Sequence, residues 1–82
     1  MPDIEDILDR VLVHLRPLAP PEAVLDADTD LVGTLGLESI TVINMVLELE
    51  DEYDISVPLH TLVDVRTAVQ LARLVHRLCQ ES

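Results

Sequence analysis

Apolar residues return every three or four places along three separate stretches of this chain, and proline or glycine interrupts the segments between them. The stretches are Ile4, Ile7, Leu8, Val11, Leu12 and Leu15; Val42, Met45, Val46, Leu49 and Tyr53; and Ala68, Leu71, Ala72, Val75 and Leu78. Such spacing places each set along one side of an α-helix. Hydrophobic residues make up 49% of the chain, yet Tyr53 is its one aromatic side chain, so the interior must be aliphatic, which favours packed helices over a sheet.

The punctuation sets the boundaries. Asp3 suits the cap of a first helix that stops near Pro17, and Pro17-Leu18-Ala19-Pro20-Pro21 opens a long connection through Leu37, interrupted by Gly33 and Gly36, with one turn at Asp30-Leu31-Val32. The second helix follows Ser39 to about Glu52 and is broken by Ile55-Ser56-Val57-Pro58. Pro58 suits the first turn of a short helix through about Val63, and Thr67 caps the last helix. The expected fold is an all-α small bundle of three main helices plus one short helix, with a long loop between the first and second helices. The 82 residues form one domain, 1–82, near the size at which a single core leaves a modest stability margin.

Composition excludes several classes. No apolar run approaches the roughly 18 residues of a membrane span, and Met1-Pro2-Asp3 is an acidic start unlike a signal peptide, so the chain reads as cytoplasmic. The one cysteine, Cys79, cannot form an internal disulfide and has no neighbours of a metal site; a half-buried place on the last helix suits it. A net charge of −11 argues against nucleic acid and for partners with basic surfaces. The charge is uneven: residues 38–54 hold six acids and no base, whereas residues 55–82 hold two acids and three arginines.

The second helix carries more than a core face. At 100° per residue, Ile40 and Leu47 point nearly opposite to Val42, Met45, Val46 and Leu49, in company with Asn44 and Asp51, with Ile43 to one side and Glu48 to the other. Aliphatics mixed with acids beside a helix start suit a docking face, on which Glu48, Asp51 and Glu52 would steer a basic partner, an effect screened beyond about 8 Å at physiological salt. Ile40, Ile43 and Leu47 equally suit packing against the connecting loop or the short helix. Ser39 itself suits a helix cap, and a phosphate attached to its hydroxyl would lie in the favourable field of the helix start.

Other motifs fail on spacing. Asp26, Asp28 and Asp30 open like a calcium loop, but Leu31 stands where the glycine is required and Leu37 at the twelfth position. Gly36-Leu37-Glu38-Ser39-Ile40 lacks the glycine offsets of a hydrolase nucleophile elbow. His14, His60 and His76 lie on different elements without the i+4 pairing of a helical metal site. An approach of His60 to Ser39 in space is the one route to a catalytic pair, and no oxyanion-hole signature accompanies it. No catalytic residue and no metal site is expected.

Nearly the whole chain resembles an acyl carrier protein. The resemblance rests on Leu35-Gly36-Leu37-Glu38-Ser39-Ile40, on the acidic-aliphatic helix ending Leu49-Glu50-Asp51-Glu52-Tyr53-Asp54-Ile55, and on Val57-Pro58 and Asp64-Val65-Arg66-Thr67, in that order and at family spacing. It implies that Ser39 receives 4′-phosphopantetheine from coenzyme A through a phosphopantetheinyl transferase, and that acyl groups ride on the arm's thiol as thioesters. It further implies that Glu38, Ile40, Ile43, Leu47, Glu48 and Asp51 touch partners, and that Val42, Val46, Val57 and Leu62 line a cleft for the acyl chain. The partners implied are an acyltransferase or an acyl or aminoacyl ligase, a ketosynthase and other pathway enzymes with basic docking surfaces, met by a monomeric carrier that is not itself an enzyme.

The chain departs from the family pattern at informative places. Glu38 and Ile40 replace the usual Asp and Leu beside the serine, Asn44 stands where fatty-acid carriers often have an acid, and Tyr53-Asp54 replaces the common Phe-Gly. The Gly-Gly-His/Asp-Ser-Leu form of peptide-synthetase carriers is absent. All five basic residues are arginine, an association with GC-rich genomes in which freestanding carriers of polyketide or mixed polyketide-peptide pathways are common. The expected function is therefore a freestanding carrier of such a pathway. The alternatives are a carrier of fatty-acid synthesis and, in a different class, an unmodified acidic interaction domain that binds one basic partner.

Overall fold

The first apolar stripe winds into α1, Ile4–Leu15, which buries Ile7, Val11 and Leu15 completely. The second becomes α2, Ser39–Tyr53, and the third α3, Ala68–Glu81. The computed structural model describes residues 2–31 and 39–81, without the side chains of Ser39 and Leu59. Met45, Val46 and Leu49 of α2, Leu71, Ala72 and Val75 of α3, and Leu31 and Val57 from the connections join the α1 residues in one aliphatic cluster. The all-α bundle expected from the three stripes is the fold observed. Among the described residues the backbones of α1 and α3 make the most extensive approach.

The helix ends differ from the simplest expectations. Asp3 occupies the cap position of α1, but its side chain makes no cap hydrogen bond; its carbonyl oxygen accepts from the Ile7 N–H at 3.0 Å, and Glu5 and Asp6 supply negative charge to the first turn. Pro17 does not end helical structure outright: α1 tightens into a 3-10 turn, Arg16–Leu18, that contains it. The short helix is of the 3-10 type, Leu59–Asp64, and Pro58 precedes it as its cap, accepting from both the N–H and the hydroxyl of Thr61.

The connection after α1 is used to finish α3. A helix start leaves its first N–H groups without intrahelical acceptors. Here Ala68 N–H donates to the Thr29 carbonyl at 3.1 Å and Val69 N–H to the Ala27 carbonyl at 2.9 Å. Thr67 Oγ1 accepts from Gln70 N–H at 3.3 Å while Gln70 Oε1 accepts from the Thr67 and Arg66 N–H groups, a reciprocal capping box. Leu31 N–H donates to the Arg66 carbonyl at 2.8 Å and Asp30 bridges Thr67 in antiparallel fashion, so the segment read as a turn is an anchor. The Asp26 carboxylate is likewise engaged locally, accepting from the Asp28 N–H and the Thr29 hydroxyl. Val32 of that segment lies outside the described residues.

Candidate functional site

Ser39 is the first residue of α2. The first turn that follows contains no acidic residue, so its own side chains set no carboxylate against the positive end of the helix. This setting fits a phosphodiester attached at residue 39: the attachment oxygen is a serine hydroxyl, and the field of a fifteen-residue helix favours the negative charge.

The outward face of α2 is built as the wheel predicts. Ile40 is 64% exposed and Leu47 51% exposed, whereas Met45, Val46 and Leu49 are buried. Asp51 and Glu48 are exposed, whereas Ile43 is half-buried and shares more of its surface with the interior. Glu38, the sixth residue assigned to this face, lies outside the described residues. Val42 and Leu62 are half-buried and Val46 and Val57 buried within or against the aliphatic cluster, and neither of the two surface grooves described below is lined by them.

The acids of α2 are not equivalent. His14, 17% exposed at its side chain, lies between two of them: Nδ1 is 3.0 Å from Glu48 Oε2 and Nε2 is 2.9 Å from Glu52 Oε2. A neutral imidazole can donate to one of these carboxylates, and only the imidazolium to both. Arg10 Nε donates to the other oxygen of Glu52. These contacts hold the Glu52 carboxyl below its ordinary value, with the His14 hydrogen bond the largest cause and burial acting against it. Beside it, burial pushes the Tyr53 hydroxyl up, with the Glu52 charge adding to the effect. Glu50 accepts from the Val57 N–H at 3.2 Å and so braces the segment after α2. Asp51 and Asp54 make no ion pair among the described residues.

Sequence reasoning missed the His14 contacts, although a signal was present. Arg10 and His14 are four apart on α1, and Glu48 and Glu52 are four apart on α2; two stripes of opposite sign meet where the helices pack. Next to them, a groove of about 390 Å³ between the end of α1 and α2 is lined by Val13, His14, Leu18, Asn44, Met45 and Glu48. With Val13 and Leu18 exposed, it continues the exposed apolar surface beyond α2 itself.

The end of α2 explains one departure from the family pattern. Asp54 has a φ of 54°, in the left-handed region, and Ile55 N–H donates to the Glu50 carbonyl at 3.1 Å. This is a Schellman ending with Asp54 at the position that glycine usually takes. Aspartate tolerates the conformation through its short polar side chain.

Residues 5–75 match the family described as phosphopantetheine attachment site. Over 52 residues the chain is 38% identical to a probable acyl carrier protein of Caulobacter vibrioides (strain NA1000 / CB15N), a match that covers 63% of this chain and 60% of that relative, less than two thirds of its length. It is 26% identical over 81 residues to an acyl carrier protein of Amoebophilus asiaticus (strain 5a2), with 99% of each chain covered. Among the described residues no helix is long and apolar enough to cross a membrane. With the helical bundle, the family match over most of its length and these relatives, the chain belongs to the acyl carrier protein family, whose members bear covalent 4′-phosphopantetheine and serve partner enzymes as carriers, not as enzymes.

Proposed function

We propose that Ser39 bears the phosphopantetheine arm and that the chain is a freestanding, monomeric, cytoplasmic carrier domain spanning residues 1–82. It presents an acyl or aminoacyl thioester to separate enzymes of polyketide or mixed polyketide-peptide biosynthesis. The observation that carries the proposal is the place of Ser39: it opens α2, inside the matched segment, with no acid in the following turn. In the modification, Ser39 Oγ takes the phosphopantetheine phosphoryl group from coenzyme A, the adenine nucleotide leaves, and the hydroxyl proton passes to a base of the transferase. The bound arm supplies a thiol for thioester formation. The chain supplies tether and address, since tethering a reactive group by a short flexible link raises its effective concentration at a docked site to about the millimolar range.

The address is the outward face. Ile40 and Leu47 offer contact area, Ile43 adds its exposed part, and Glu38, Glu48 and Asp51 steer basic surfaces of a transferase, a loading acyltransferase or ligase, and a ketosynthase. Asn44, exposed on this face where fatty-acid carriers often have an acid, supports partners other than those of primary fatty-acid synthesis. The test is to incubate the protein with coenzyme A and a broad-specificity transferase and weigh the intact chain. A phosphopantetheine mass gain that Ser39→Ala abolishes is the expected result; no gain on the wild type with several transferases would overturn the proposal.

A further inference from the structure

A second groove, of about 460 Å³, lies between the 3-10 helix Leu59–Asp64 and α3, and its lining is opposite in sign to the net charge of the chain. Arg73 and Arg77 line it from α3, His60 from the 3-10 helix, and Val65 and Leu74 supply apolar surface. Both arginines are exposed. In a chain with sixteen acids, neither makes an ion pair among the described residues. The two arginines of the amino-terminal half, by contrast, are engaged: Arg10 with Glu52, and Arg16 with the carbonyl oxygens of Pro20 and Ala23. Asp64 is the one acid lining the groove, so two guanidinium groups stand against one carboxylate.

We propose that this groove docks an acidic segment of a partner protein, giving the carrier two docking faces of opposite charge. Arg73 and Arg77 are neighbours one turn apart, about 5–6 Å between Cβ atoms, a spacing that matches carboxylates three or four residues apart on a partner helix. An apolar side chain of that helix would cover Val65 and Leu74, and arginine at the rim with aliphatic surface beneath is the composition of a protein interface. Exposure on this scale would leave a small anion largely hydrated. A dense polyanion such as nucleic acid would be repelled by the −11 chain, whereas a segment with a few carboxylates meets the local positive charge within about one Debye length.

The probe is a fluorescent, end-capped helical peptide carrying leucine and glutamate with its glutamates four residues apart. It is compared with the same peptide bearing glutamine and with inorganic phosphate, and amide shifts of the isotope-labelled protein locate the contact. Expected are saturable binding of the glutamate peptide that falls with salt, shifts confined to residues 59–77, a roughly tenfold loss in Arg73→Gln/Arg77→Gln, and tighter binding in Asp64→Asn. Circular dichroism of both variants confirms that they fold. The proposal is overturned by equal binding of the glutamine peptide, by shifts centred on α2, by phosphate saturating the same residues as well as the peptide does, or by self-association of the carrier that fills the groove.

Discussion

The two faces of α2 are made from one helix and similar residue types, yet they do opposite work. Inward, Met45, Val46 and Leu49 are buried in the aliphatic cluster to which α1 and α3 also contribute. Outward, Ile40 and Leu47 keep more than half of their surface in water although they are as apolar as the buried set. A small core would gain by burying them, and their exposure beside Ser39 is what supports the proposal that this face meets partners. The acids divide likewise: Glu50 and Glu52 brace the fold, Asp51 stays clear of ion pairs among the described residues, and Glu48 serves both sides by reaching His14 while remaining exposed.

Substitutions can break this division. Leu49→Ala, on the inner face, should destabilise the domain by about 2–5 kcal/mol in denaturant unfolding, since it opens a cavity in the fully buried cluster. Glu52→Gln should cost about 1 kcal/mol at neutral pH by loosening the tie between α1 and α2. The sign with pH follows from the lowered carboxyl: its contribution is complete above the ordinary value of 4.5 and is lost as pH falls through the lower folded-state value. Melting curves of the wild type and Glu52→Gln should therefore converge well below pH 4.5 and stay apart above it; a constant gap would remove the electrostatic account.

Asp54→Gly should raise stability by about 0.5–1 kcal/mol, because glycine takes the left-handed ending of α2 without a Cβ conflict. Smallest in stability is Leu47→Ala, expected within about 0.5 kcal/mol of the wild type while loading by a cognate partner slows. A large loss of stability there would make Leu47 part of the core and erase the contrast between the faces.

The helices were legible because the apolar period carries them: each stripe supplies buried residues, from Ile7 and Val11 to Leu71 and Val75, although Ile4 at the start of the first stays exposed and Leu8, Leu12, Val42, Tyr53 and Leu78 are half-buried. The outward position of Ile40 and Leu47 followed from the same arithmetic. What was not legible depends on contacts between distant residues. Thr29 and Ala27 finish the start of α3 from about forty residues away, and no local pattern announces that. His14 had no visible partner until α1 and α2 were set side by side, and the isolated arginines of α3 emerge only once the acids elsewhere have found other work or other places. Asp3 takes the expected cap position of α1 without the side-chain bond, and Glu5 and Asp6 supply charge to the same turn.

The division of α2 is tested most directly at Asp51, exposed and without an ion pair among the described residues. The measurement is the rate of phosphopantetheine loading of Asp51→Arg by a transferase at low and high salt, taken beside its thermal melting. The account predicts loading slowed by about tenfold at low salt, a smaller deficit at high salt, and melting close to the wild type. Unchanged loading, or a domain that unfolds with the substitution, would contradict it.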